Sequence, residues 1–140
     1  MAASSVRGCF EKEVNPAGCE PITPVNLHFN LDAVVLKWGG GIIPGATIHA
    51  RMVFYDYTVV DNECTIVHSV AQTATGTTGP DGIAHLTTGT YPMDRFGDWV
   101  SLTITCFKAG HGAREEYEIL SSNTGTDFTF TFVLAGEDEL

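Results

Sequence analysis

The residues able to do chemistry in this chain are four cysteines, five histidines and a loop carrying two aspartates. Asp94 and Asp98 flank Arg95, Phe96 and Gly97. Two carboxylates with loop carbonyls could hold calcium, which takes oxygen ligands, but the EF-hand spacing is absent. The alternative, favoured because aspartate is a common turn former, is a turn whose aspartates accept backbone hydrogen bonds. Histidines stand at 28, 49, 68, 85 and 111. No two are spaced i, i+2, the interval that places two ligands on one strand face, and no C-x-x-C is present, so no zinc site is expected. The chain has no G-x-S-x-G, H-E-x-x-H, P-loop or dinucleotide fingerprint. Gly39-Gly40-Gly41 lacks a following Lys-Ser/Thr and reads as a turn. The expectation is a non-enzymatic chain with no catalytic residues, no metal and no cofactor.

Cys9, Cys19, Cys64 and Cys106 permit three pairings, and sequence alone does not choose among them. Cys9 and Cys19 share an irregular Pro/Gly-containing segment, whereas Cys64 and Cys106 lie in strand-like runs on the parity of Ile66 and Ile104. Two bridges are expected, Cys9 to Cys19 and Cys64 to Cys106; otherwise Cys64 and Cys106 are small core residues. His28 and His49 fall on polar parities and are expected in solvent. His68 shares parity with Cys64 and Ile66 and is expected inside. Tyr55, Tyr57, Tyr91, Phe96 and Phe107 fall on loops or on the outward parity of strands. They form a candidate patch for protein docking or carbohydrate stacking, or else close the ends of the fold.

The elements that must position these residues are strands. Val100, Leu102, Ile104 and Cys106 alternate with Ser101, Thr103 and Thr105, the mark of a half-buried strand. The same alternation marks Phe128, Phe130, Phe132 and Leu134, then Ile48, Ala50, Met52 and Phe54, and a run from Val25 toward Trp38. Further strands are expected at Glu63–Thr73 and Ile83–Thr87, with another possible over Arg114–Leu120. Turns are expected at Asp61-Asn62 and at Gly79-Pro80-Asp81-Gly82. A long loop is expected from Gly89 to Gly97. Residues 1–24 carry Pro16, Pro21 and Pro24 without periodicity and read as an extended arm. The chain therefore divides into an arm, 1–24, and one all-β domain, 25–140. That domain is an antiparallel β-sandwich of about seven strands, with a closed barrel or jelly roll as the alternative.

Composition narrows the function. With 140 residues, 44% hydrophobic and 17% charged, the chain can bury a core of its own. A net charge of −10 opposes binding to nucleic acid or anionic lipid and keeps the surface soluble. No run approaches the ~20 apolar residues of a membrane helix, and the N-terminus has no apolar leader core. A native Met1 means synthesis without a secretory signal; a removed leader leaves export open.

Pro44-Gly45-Ala46-Thr47-Ile48, followed by Thr77-Thr78-Gly79-Pro80-Asp81-Gly82-Ile83-Ala84, resembles bacterial immunoglobulin-like and carboxypeptidase-regulatory-like (prealbumin-like) sandwich domains. The resemblance runs from about Val25 to Phe107. It implies an immunoglobulin-like or prealbumin-like sandwich used for adhesion, spacing or assembly. Two roles follow as expectations. One is an extracellular or cell-surface module binding protein or glycan. The other is a self-assembling subunit of a virus particle or filament, a homo-oligomer whose N-terminal arm contacts neighbours.

Overall fold

The computed structural model describes residues 19–136 apart from Ser122; for His68–Val70 it describes the backbone alone. Its strands are β1 (Pro21–Leu27), β2 (Asn30–Lys37), β3 (Thr47–Val60), β4 (Glu63–Thr77), β5 (Ile83–Thr87), β6 (Tyr91–Arg95), β7 (Trp99–Lys108), β8 (Gly112–Leu120) and β9 (Asp127–Leu134). No helix occurs among the described residues. One sheet has the order β4-β3-β7-β8, a second has β5-β2-β9, and β1 pairs with β6. All pairings are antiparallel except β2 with β9. The expected all-β sandwich is the observed architecture.

The alternating runs build the core. Ile48, Ala50, Met52 and Phe54 of β3 and Val100, Leu102, Ile104 and Cys106 of β7 line one inner face. Leu31, Ala33 and Val35 of β2 and Phe130, Phe132 and Leu134 of β9 line the other, and all are buried. Each large side chain among them contributes roughly 1.5–3 kcal/mol through removal from water. Two threonines tie the connections to this core. Thr78 Oγ1 accepts from Ala46 N and donates to Ile43 O, and Thr88 Oγ1 accepts from Phe29 N.

Four expectations are corrected. Residues 1–18 of the expected arm lie outside the described residues, and its last part is not irregular, because Pro21–Leu27 is a strand; β1 has β6 as its one partner among the described residues and is interrupted by an irregularity between Pro21 and Val25, positions where proline is tolerated. The run from Val25 to Trp38 is two strands. It breaks at His28-Phe29, where Phe29 N bonds Thr88 Oγ1 and Thr88 N bonds Phe29 O as the chain changes sheets. The loop from Gly89 to Gly97 contains β6, which Pro92 disguised. Finally, β4 runs to Thr77 and contains a bulge.

The bulge sets the shape of one end. Val53 pairs with Ala71 and Tyr55 with His68, so β4 carries one residue more than β3 between these pairs. An extra residue reverses the parity of everything beyond it. Cys64 and Ile66, opposite Val59 and Tyr57, thus share the parity of Tyr55 instead of the core parity, and Ile66 is 51% exposed. The side chain of His68 lies outside the described residues. Pairing of β3 with β7 stops at Tyr55 and Trp99, so β3 and β4 continue as a two-stranded ribbon. The ribbon closes at Asp61 and Asn62, both at positive φ (53° and 65°), as the expected turn requires.

The cysteines follow this geometry. Cys19 is bonded to Cys64 across a Cα–Cα distance of 5.8 Å, clipping the chain two residues before β1 to the ribbon. Neither expected bridge involving these residues forms. Cys106 lies opposite Ile48 and Cys64 opposite Val59, so most of β3 separates them, on the order of 35 Å at ~3.4 Å per residue. Cys106 is a free, buried thiol, which was the alternative for it, and burial pushes its pKa up to about 11. Cys9 lies outside the described residues.

Candidate functional site

The sandwich end from which the ribbon departs gathers the carboxylates. Asp98, at the turn from β6 into β7, is 2% exposed. Its Oδ1 accepts from Tyr57 N, and its Oδ2 accepts from Asp94 N and Arg95 N. The carboxylate thus takes over where β7 no longer pairs with β3, and it closes the Asp94–Asp98 turn. The expected turn forms, with Asp98 accepting the backbone hydrogen bonds and Asp94 contributing its backbone N–H as a donor.

Asp56 completes the cluster. Met52, Phe54 and Asp56 lie on the same parity of β3, so an acid stands where the core alternation calls for an apolar residue. One carboxylate oxygen from each of Asp56, Asp94 and Asp98 lies within 4.8 Å of the others. Burial raises the Asp56 pKa to about 6, helped by a hydrogen bond with Asp98 and by the charges of Asp98 and Asp94, and opposed by the Tyr57 backbone. Asp56 Oδ1 is buried without a hydrogen-bond partner among the described residues.

Beside the cluster lies a cleft of about 350 Å³ lined by Phe54, Asp56, Val67, Gln72, Thr90, Tyr91 and Pro92. Its walls come from the last inward positions of β3, from β4 next to the bulge and from the start of β6. Gly89 leaves room for Gln72: a Cβ there would stand 2.7 Å from Gln72 Oε1. Tyr91 is 3% exposed, and its ring packs on Phe54 and Phe29 with centroids 5.8 and 6.3 Å away. Burial raises its pKa, and its Oη is the second buried polar atom without a partner among the described residues. An unpaired buried hydroxyl or carboxylate oxygen costs about 1–3 kcal/mol, so two in adjoining positions is a feature of the site that stability alone does not favour.

The aromatic patch expected from sequence is not one surface. Tyr91 is corrected to a core residue, since β6 is a strand whose Tyr91 and Met93 face inward. Tyr55 stacks on Trp99 with centroids 4.1 Å apart, Tyr57 is half-buried beside it in sequence, and Phe96 is exposed in the adjacent turn. Phe107 is exposed at the other end of β7, about 27 Å away along the strand. Tyr117 and Ile119 of β8 are exposed as well. His28 and His49 are exposed as expected. His85 Nδ1 lies 2.7 Å from Asp32 Oδ1 in a cross-strand surface pair. Sequence reasoning missed Asp56; the signal available was an acid on an apolar parity.

No helix among the described residues is long and apolar enough to cross a membrane. No protein-family model matches the chain, and no curated protein matches it.

Proposed function

We propose that this chain is a non-enzymatic binding module of an extracellular or cell-surface protein, a β-sandwich of the immunoglobulin-like or prealbumin-like kind that engages a protein or glycan partner. The observation that carries the reading is the Cys19–Cys64 disulfide. It closes a loop of 45 residues in sequence and fastens the strand entering the domain to the protruding ribbon. Such bonds persist in oxidising compartments. Non-reducing peptide mapping of the protein from its native compartment tests this. A linked Cys19–Cys64 peptide is expected; fully reduced thiols in the folded protein would overturn the placement.

A self-assembling structural subunit is the second reading, and one edge of the larger sheet favours it. From Cys64 to Thr77, β4 contains no Asp, Glu, Lys or Arg, whereas the opposite edge, β8, carries Glu115, Glu116 and Glu118. Charged edges resist strand addition and uncharged ones permit it. Light scattering across concentration separates the readings. A monomer supports the binding module, and a persistent oligomer or filament supports the subunit.

A further inference from the structure

We propose that the cleft between the ribbon and β6 is a binding site for an alkylammonium group, the head of a lysine side chain presented by a partner protein. The proposal rests on the binding-module reading above and names the ligand class. Three observations converge on it. Two of the residues lining the cleft carry a buried polar atom without a partner among the described residues, Asp56 Oδ1 and Tyr91 Oη. Tyr91 is more than nine-tenths buried, so its hydroxyl reaches no bulk water and no described side chain. The remaining wall is mostly apolar, from Phe54, Val67 and Pro92, with Gln72 and Thr90 as its polar members.

An anionic acceptor and a phenolic oxygen inside apolar walls call for a donor that is cationic at its tip and apolar along its stem. Lysine has that form: three N–H donors on one nitrogen, no acceptor, and four methylenes. A guanidinium fits less well, because its planar fork seeks both oxygens of one carboxylate. Here Asp56 offers one buried oxygen without a partner among the described residues, while both oxygens of Asp98 are already engaged with backbone N–H groups. Calcium also fits less well, since it takes six to eight oxygen ligands and half of this wall is hydrocarbon. The volume of about 350 Å³ accommodates a single side chain and sits at the low end for small-ligand sites. Asp94 and Asp98 add negative charge behind Asp56, with a carboxylate oxygen of each within 4.8 Å of one of its own, and the net charge of −10 draws cations at longer range.

The test is a titration of the oxidised, full-length protein at pH 7.5 with Nα-acetyl-lysine methylamide, followed by NMR or calorimetry. Parallel titrations use the neutral Nε-acetyl analogue, the arginine analogue and calcium chloride. Saturable binding of the lysine probe is expected, with amide shifts at Phe54, Asp56 and Tyr91, and at least tenfold weaker binding of the Nε-acetyl analogue. Asp56→Asn should abolish binding, and Tyr91→Phe should weaken it severalfold, with both variants retaining a cooperative melt. Equal binding of the neutral analogue, unchanged affinity in both variants, or calcium binding without lysine binding would each overturn the proposal. Disulfide mapping and light scattering are independent of this titration, so its failure would leave the binding-module reading standing on its own tests.

Discussion

Asp56→Asn is expected to make the protein more stable at neutral pH and to leave it unchanged in acid. The carboxyl has a pKa of about 6 in the folded state against a reference of 3.8, so the folded chain holds this proton more tightly than the unfolded chain. Stability from this group is therefore complete below about pH 4 and is lost as the pH rises through 6. A shift of this size in a dry site would be worth about 3 kcal/mol. Asp56 is only partly buried, and solvent screening reduces the expected effect to about 1 kcal/mol. Asparagine keeps the shape of the neutral acid, can donate to Asp98 and never ionises. The assay is urea denaturation of both proteins at pH 4 and pH 7.5. Taking the difference between the proteins cancels the other acids, among them Asp94 and Asp98, to the extent that they do not couple to the substitution. The variant should gain about 1 kcal/mol at pH 7.5, or about 3–4 °C in Tm, and nothing at pH 4. Destabilisation at pH 7.5, or an equal effect at both pH values, would refute the account of a carboxylate held against its solvation.

Removing Cys19 and Cys64 together should cost up to about 4 kcal/mol by the chain-entropy relation for a loop of 45 residues; reductant should lower the denaturation midpoint of the parent protein and leave the double variant unmoved. Asp98→Ala strands the N–H groups of Tyr57, Asp94 and Arg95, and a loss of about 3–4 kcal/mol is expected in denaturant titration. Hydrogen exchange should quicken first at the ribbon and the 94–98 turn of that variant, and uniform loss across the sandwich would count against a local role. Thr78→Val removes two buried bonds, to Ala46 and Ile43, and is expected to cost about 2 kcal/mol, measured the same way. Tyr91→Phe deletes a buried hydroxyl that lacks a partner and should raise stability by about 1 kcal/mol; a loss would mean that the hydroxyl is satisfied.

The parts of this fold legible from sequence are those in which one strand face is buried along its whole length. β7 and β9 are such strands, and the alternation of Val100 to Cys106 and of Phe130 to Leu134 maps directly onto burial. Period-two reading fails where the ladder changes its count. One additional residue in β4 between Ala71 and His68 turns Cys64 and Ile66 away from the core parity, and nothing local announces it, because Ser69 and Val70 suit an ordinary strand as well as a bulge. The same event defeats the cysteine pairing, since Cys64 and Cys106 share an apparent parity but not a location. β1 and β6 were hidden for a different reason. Their prolines lower strand propensity, and these two short strands pair with each other, so neither borrows a pattern from a recognised neighbour. Asp94 and Asp98 were legible as a turn because aspartate closing on backbone N–H groups is a local motif. Their approach to Asp56 depends on where β3 leaves the sheet, which is a long-range fact.

The two substitutions expected to stabilise the protein, Asp56→Asn and Tyr91→Phe, are the two expected to weaken ligand binding. That coincidence follows from the physics of the cleft. A buried oxygen without a partner raises the free energy of the empty state, and a donor that arrives with a ligand removes the penalty. If the cleft were only a packing defect, the two variants would gain stability and the lysine probe would act on none of the three proteins. If it is a binding site, adding the probe should raise the Tm of the parent by mass action and leave that of Asp56→Asn unmoved, closing the gap between them. Thermal melts of the parent and the Asp56→Asn variant with increasing probe at pH 7.5 distinguish the two cases, and a gap that stays constant at saturating probe would assign the carboxylate to the turn alone.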